Sequence, residues 1–278
     1  MPEEKRRMPP VSTETRVIDQ GCGIYELITP PGMFHEYLVL GSEKAALIDT
    51  GIGFADLKAE VEKLTSLPVL VLNTHGHPDH AGGNAQFDAV MIHPDDIATA
   101  ESMATKEFRI EDAAPMLHGE HPELMEKLQP TFTGSWLPLT DRQEIDLGGR
   151  TLTVFFTPGH TKGSVMYYEA ATGFLFAGDT VQPNVNIVEP VAATAEDLKD
   201  ALTSIGTIEI SRIFCGHGMP ESVHSGRKLF DDVLAAVTGV VDGTLQGTPA
   251  KGMHGIDCIR YTVPGVSIST RADNIRRS

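Results

Sequence analysis

Short apolar runs punctuated by glycine and proline dominate the chain, and their spacing separates strands from helices. Residues 36–40 and 44–48 flank Gly41-Ser42-Glu43, a Gly-containing connection that predicts a hairpin. Over residues 54–64 the apolar positions fall at Phe54, Leu57, Val61 and Leu64, a helical spacing, with Pro68 beyond the end. Val69, Leu70, Val71 and Leu72 are apolar without interruption, which suits a strand covered on both faces. A short helix is expected over 79–87 and a strand over 89–92. Residues 94–138 carry an irregular helical pattern with Met103, Met116 and Met125, read as an insertion able to cover a pocket.

A second strand-rich block follows at 144–147, 151–156, 164–169 and 174–176. Then come a helix at 198–205, a strand at 212–215, a helix at 227–241 and a Gly-broken strand pair over 256–268. The halves echo each other weakly. Val71-Leu-Asn-Thr-His75 has a counterpart in Val154-Phe-Phe-Thr-Pro-Gly-His160, and Ala46-Leu-Ile-Asp-Thr-Gly51 has one in Leu175-Phe-Ala-Gly-Asp-Thr180. The repeat predicts an α/β fold, a four-layer αββα sandwich of two mixed β-sheets flanked by helices. No linker divides it, so one domain is expected over 16–278 behind a flexible arm at 1–15.

Composition narrows the function classes. Hydrophobic residues are 41% and charged residues 22% of 278, ordinary for a globular protein. No apolar run is long enough to span a bilayer, and no apolar h-region follows the basic residues near the start. Three cysteines, an odd and unpaired set, point to a reducing cytoplasm. The net charge of −16, without an internal Lys/Arg cluster, argues against nucleic acid; a small-molecule substrate is the expected partner. Homo-oligomerisation is left open.

The chemistry concentrates after the strand at 69–72, in Thr74-His75-Gly76-His77-Pro78-Asp79-His80. Residues two apart project to the same side, so His75 and His77 can grip one ion, while Asp79 and His80 point to a second position. Imidazole nitrogen with carboxylate oxygen suits zinc, and also iron or manganese. Further candidates lie at strand ends beside glycines: His160, Asp179 and His217.

In this order the residues resemble the metallo-β-lactamase-fold superfamily, whose signature is His-x-His-x-Asp-His with later His, Asp and His ligands. The motifs run from about Val39 to His217. The resemblance implies two zinc ions per chain: one on His75, His77 and His160, a second on Asp79, His80 and His217, with Asp179 bridging. The ligand set is more similar to glyoxalase II and the acyl-homoserine lactonases than to true β-lactamases, which place cysteine or serine where Asp179 stands. It departs from the diiron flavoproteins, which have glutamate at the position of His77. Asp49 matches another motif and is expected beneath the metals, orienting a ligand imidazole, with capping of the following helix an equal alternative.

These residues imply a hydrolase in which a metal-bridging hydroxide, between ions about 3.5–4 Å apart, attacks an ester, lactone or thioester, with Asp79 orienting it and taking its proton. Hydrolysis of a β-lactam or other amide is the alternative on the same site. A single-iron persulfide dioxygenase and a non-catalytic scaffold are the rivals from other classes. Weaker candidates have a bland expectation each. His93 caps local backbone; His118 and His121 sit in a solvated loop; His35 lies at a pocket edge only by its place before the hairpin. Met103, Phe108, Met116 and Trp136 pack the insertion on the core, Cys215 is a buried thiol, and Lys162 is a surface amine.

Overall fold

Burial on both faces organises the middle of the first sheet. In the computed structural model, which describes residues 11–117, 119–218 and 226–277, seven strands lie side by side in chain order. They are β1 (Arg16–Gly21), β2 (Ile24–Thr29), β3 (Phe34–Leu40), β4 (Ala45–Ile48), β5 (Val69–Leu72), β6 (Ala89–Ile92) and β7 (Ser135–Pro138). The first four pair antiparallel; β4 to β7 run parallel, as their helical crossovers require. On one face Leu27, Leu38 and Leu47 bury against Leu57 and Val61 of α1 (Leu57–Leu64). On the other, Tyr37, Val39, Ala46 and Ile48 enter the main core. Each leucine, isoleucine or valine among them contributes about 1.5–3 kcal/mol when removed from water.

The second half supplies the facing layer. Strands β8 (Glu144–Asp146), β9 (Thr151–Phe156), β10 (Val165–Glu169), β11 (Phe174–Gly178) and β13 (Arg212–Cys215) form one sheet in the order β13-β11-β10-β9-β8. Strands β12 (Asn184–Ile187), β14 (Thr248–Lys251), β15 (Asp257–Val263) and β16 (Val266–Thr270) form a smaller one, ordered β12-β16-β15-β14. Tyr37 meets Phe176 and Phe214 at ring separations of 5.7 and 5.2 Å, which locks the first sheet to the second. Helices α6 (Ala195–Ser204) and α7 (Arg227–Val241) cover the far side, through Leu198, Leu202, Phe230 and Val233. The result is the expected four-layer mixed α/β arrangement, with the second-half strands divided between two ladders.

Several elements differ from expectation for local reasons. Helix α1 starts at Leu57, not Phe54, because the Asp56 side chain caps it; Phe54 is buried instead with Ala113, Leu117 and Leu124. The helix expected over 79–87 is two pieces, α2 (Pro78–Ala81) and a 3-10 turn at Asn84–Gln86, on either side of Gly82 and Gly83. Residues 94–138 hold α3 (Pro94–Met103), α4 (Lys106–Ala113) and α5 (Pro122–Lys127), but 135–138 is the edge strand β7. Of the expected arm, residues 1–10 lie outside the described residues, while the Ser12 N–H donates to Pro31 O at 2.8 Å.

Arg109 anchors the inserted helices. Fully buried, it donates to five carbonyl groups of the surrounding backbone: Ala104, Thr105, Ile52, Gln129 and Pro130, at 2.8–3.3 Å. No helix of the described residues is long and apolar enough to cross a membrane.

Glu36 is a buried carboxyl with one oxygen hydrogen-bonded to Thr29 at 3.0 Å and the other unpartnered. Burial raises it to about 8, with nearby Asp49 adding to the effect against the Thr29 hydrogen bond. As pH rises from 4.5 to about 8 the unfolded chain ionises this group while the folded chain keeps its proton, so stability falls across that window. Glu36→Gln is predicted to melt a few degrees above wild type at about pH 8, with the gain vanishing near pH 4.5. Thermal melts at the two pH values check this; an equal shift at both would contradict it.

Candidate metal centre

Strand ends bring the candidate residues together. His75 and His77 leave the end of β5, and Pro78 then starts α2, which carries Asp79 and His80. His160 lies in the loop after β9, Asp179 follows β11, and His217 follows β13. All seven converge. Three trios have donor atoms within 4.8 Å of one another: His75, His77 and His160; His75, His80 and Asp179; Asp79, His80 and His217.

The outward nitrogen of four rings is held by an acceptor, which determines where the inner lone pairs point. His160 Nδ1–H donates to Asn186 O at 2.6 Å, and His217 Nδ1–H to Met33 O at 3.3 Å. His80 Nδ1–H donates to Asp49 Oδ2 at 2.8 Å, and His75 Nδ1–H to Thr74 Oγ1 at 3.1 Å. Carbonyl and carboxylate oxygens only accept, so the Nε2 atoms face inward without hydrogens when the rings are neutral. Yet those atoms crowd: His75 Nε2 and His160 Nε2 lie 3.1 and 2.9 Å from His77 Nδ1, and His80 Nε2 lies 3.2 Å from His217 Nε2. Converging lone pairs repel unless a cation stands among them. The Asp179 Oδ1 atom is buried with no hydrogen-bond partner, although Asp179 lies 3.3–3.6 Å from His80, His160 and His217. These residues fit a divalent cation.

Electrostatics agree. Burial opposes a charge on His80, but Asp79, Asp49 and Asp179 raise it to about 9. Burial and the neighbouring His160 push His77 down to about 3. Burial would raise Asp79, yet His80 and His217 hold it well below the ordinary carboxylate range. The carboxylates thus draw positive charge into the cluster. Gly216 is required for close approach: a Cβ there would sit 2.6 Å from Asp179 Oδ1 and 2.7 Å from His80 Cε1.

Asp49 does not cap α1, a role taken by Asp56; besides His80 it binds the Thr74 N–H and hydroxyl, each at 2.7 Å. His93 caps α3 by accepting from Asp95 N–H at 3.0 Å. Cys215 is buried, its thiol pushed up to about 12 by burial. His35 is a buried residue between Glu26, at 2.5 Å, and Gly218 O, at 3.0 Å, behind the His217 loop. Trp136 lies on edge strand β7 and donates to Glu101 at 3.2 Å. His121 is exposed enough to pair with Glu123, and Lys162 is exposed; His118 lies outside the described residues. Sequence reasoning missed Asp96. From α3 its buried carboxylate accepts from Gly76 N–H at 2.7 Å, Thr161 Oγ1 at 2.7 Å and Gly163 N–H at 2.9 Å. One side chain therefore staples the His75–His77 loop to the His160 loop. The only signal was a second aspartate after Pro94.

Fold and cluster together define a four-layer sandwich protein with a His/Asp divalent-metal site. Residues 36–217 match the metallo-beta-lactamase superfamily, and the chain belongs to it. It is 32% identical over 164 residues to the acyl-coenzyme A thioesterase MBLAC2 of Bos taurus, covering 52% of this chain and 57% of that protein. It is 27% identical over 177 residues to a hydroxyacylglutathione hydrolase of Synechococcus, covering 62% and 58%. The chain thus spans a little over half the length of these relatives. A metallo-beta-lactamase family protein of Thermus thermophilus superposes with a TM-score of 0.55 at 24% identity, covering 80% of this chain and 82% of that one. At that identity the likeness concerns the fold.

Asp96→Ala is predicted to weaken metal binding by about 10–100-fold, since both ligand loops lose their common acceptor. Competition with a chromophoric chelator measures this; unchanged affinity would show that the loops hold themselves.

Proposed function

We propose that this chain is a metal-dependent hydrolase cleaving an ester, lactone or thioester of a small molecule. The observation that carries the reading is the inward convergence of imidazole nitrogens whose outer nitrogens are already engaged. In this reading His75, His77 and His160 hold one ion, Asp79, His80 and His217 a second, and Asp179 is shared. Zinc suits this nitrogen and oxygen set, with iron or manganese as substitutes. When bound, a metal pair supplies a water acidified towards neutrality and a Lewis acid for the acyl oxygen.

The chain's own residues do the rest. Asp79 lies 3.2 Å from His217 Nε2 and lines a small pocket with His77 and Met103, so it faces the side from which a substrate would approach the cluster. Held acidic, its carboxylate accepts a hydrogen bond from the attacking water and keeps a proton only in transit. Asp49 keeps His80 in one tautomer and orientation. The same arrangement would serve a β-lactam or other amide, and a relative named for thioester cleavage supports the thioester class first. A second trio around His80 and His217 favours two ions over the single iron of a persulfide dioxygenase.

The zinc-loaded protein is expected to cleave members of a panel of lactones, thioesters, simple esters and β-lactams. His75→Ala should lower turnover by more than about a hundredfold. Metal analysis runs beside it. About one iron per chain with thiol-dependent oxygen uptake, or full esterase activity in His75→Ala, would overturn the proposal.

A further inference from the structure

A partly open chamber of about 430 Å³ adjoins the small pocket at Asp79, sharing Met103, Asp112, Glu189 and His254 with it, and its chemistry is uneven. Met103 and Phe108, with Met116 in the adjoining pocket, offer thioether and aromatic surface. Against them stand Asp112 from α4 and Glu189 from the loop after β12, whose side chains are only 8% and 7% exposed. His254 closes the gap between these two acids. Its Nε2 lies 2.8 Å from Asp112 Oδ1 and its Nδ1 3.2 Å from Glu189 Oε1. Carboxylates on both sides of one ring call for a hydrogen on each nitrogen, so the ring is an imidazolium. The Asp112 hydrogen bond accordingly raises His254 above the ordinary histidine value.

The balance is negative. Glu111 also lines the chamber, so three carboxylates face one imidazolium, and no lysine or arginine is among its described lining residues. Lys162 and Arg271 line a different groove past Pro190, where Asp95 and Asp197 offset them. Carboxylates lining a partly open chamber repel an anionic ligand within about a Debye length, an effect that salt weakens. We propose that Asp112, Glu189 and His254 form a charge filter beside the site. It admits uncharged or amine-bearing thioesters and esters with a small apolar acyl group, and it turns away polyanionic ones. This rests on the hydrolase reading above. It separates the chain from the relative named as an acyl-coenzyme A thioesterase, whose coenzyme carries several phosphate charges.

The test compares butanoyl thioesters of thiocholine, N-acetylcysteamine and coenzyme A on the zinc-loaded protein. The coenzyme A thioester should have a kcat/KM at least about tenfold below the other two, and added salt should narrow the gap. Asp112→Asn with Glu189→Gln should shift the ratio towards coenzyme A by about tenfold. His254→Gln should shift it the opposite way, because it removes the cation; general damage would not produce opposite signs. Binding of the uncleavable thioethers S-butylthiocholine and S-butyl-coenzyme A, followed calorimetrically with and without zinc, reads the same selectivity without turnover. Intact thioesters with selective thioether binding would overturn the hydrolase reading alone. A preference for coenzyme A in either assay, or ratios unmoved by the variants, would overturn the filter.

Discussion

Negative charge placed in the seam between two sheets sets the terms for everything around it. Asp49, Asp79 and Asp179 lie among buried imidazoles at the ends of apolar strands, where an uncompensated charge costs several kcal/mol. Burial opposes a charge on His80 and His217, yet the carboxylates raise both, so the cluster draws in positive charge. The strands, caps and loops can be understood as the means of holding these groups closer together than they would otherwise remain.

The division of labour between side chain and main chain decides what is legible in the residues alone. His75, His77, Asp79 and His80 follow a continuous apolar strand, and so dense a cluster of donors is hard to account for without a metal. His160, Asp179 and His217 became readable through the glycines beside them and the resemblance of their order. The acceptors that orient two of the rings, Asn186 O and Met33 O, are carbonyls present on every residue, and leave no trace in residue type. Asp96 was hidden for a related reason: its partners are two backbone amides and a hydroxyl, brought near only by the fold.

The fold shows the same asymmetry. An uninterrupted apolar run announced the strand at Val69–Leu72. Only Val71 and Leu72 are buried there while Val69 and Leu70 are half-buried, so the expected cover on both faces is incomplete. Strand β1 carries Arg16, Asp19 and Gln20 and is mostly exposed, and β2 hides a buried Glu26 among its apolar residues, so neither offers a clean alternation. Edge strand β7 sits at the end of a helical insertion, where its four residues are too few to establish a period. His254 is distant in sequence from Asp112 and Glu189, and only the return of the C-terminal strands makes it their neighbour.

Arg109 gives the inserted segment a particular character. Its guanidinium is satisfied by neutral carbonyl oxygens on both sides of the segment and on the loop at Ile52, so lifting the helices would strand a buried cation without acceptors. The segment is a wall with a fixed foundation, and its inner lining is free to vary. New substrates could therefore be reached by exchanging Met103 or Phe108 one at a time, with the frame that holds the histidines left undisturbed.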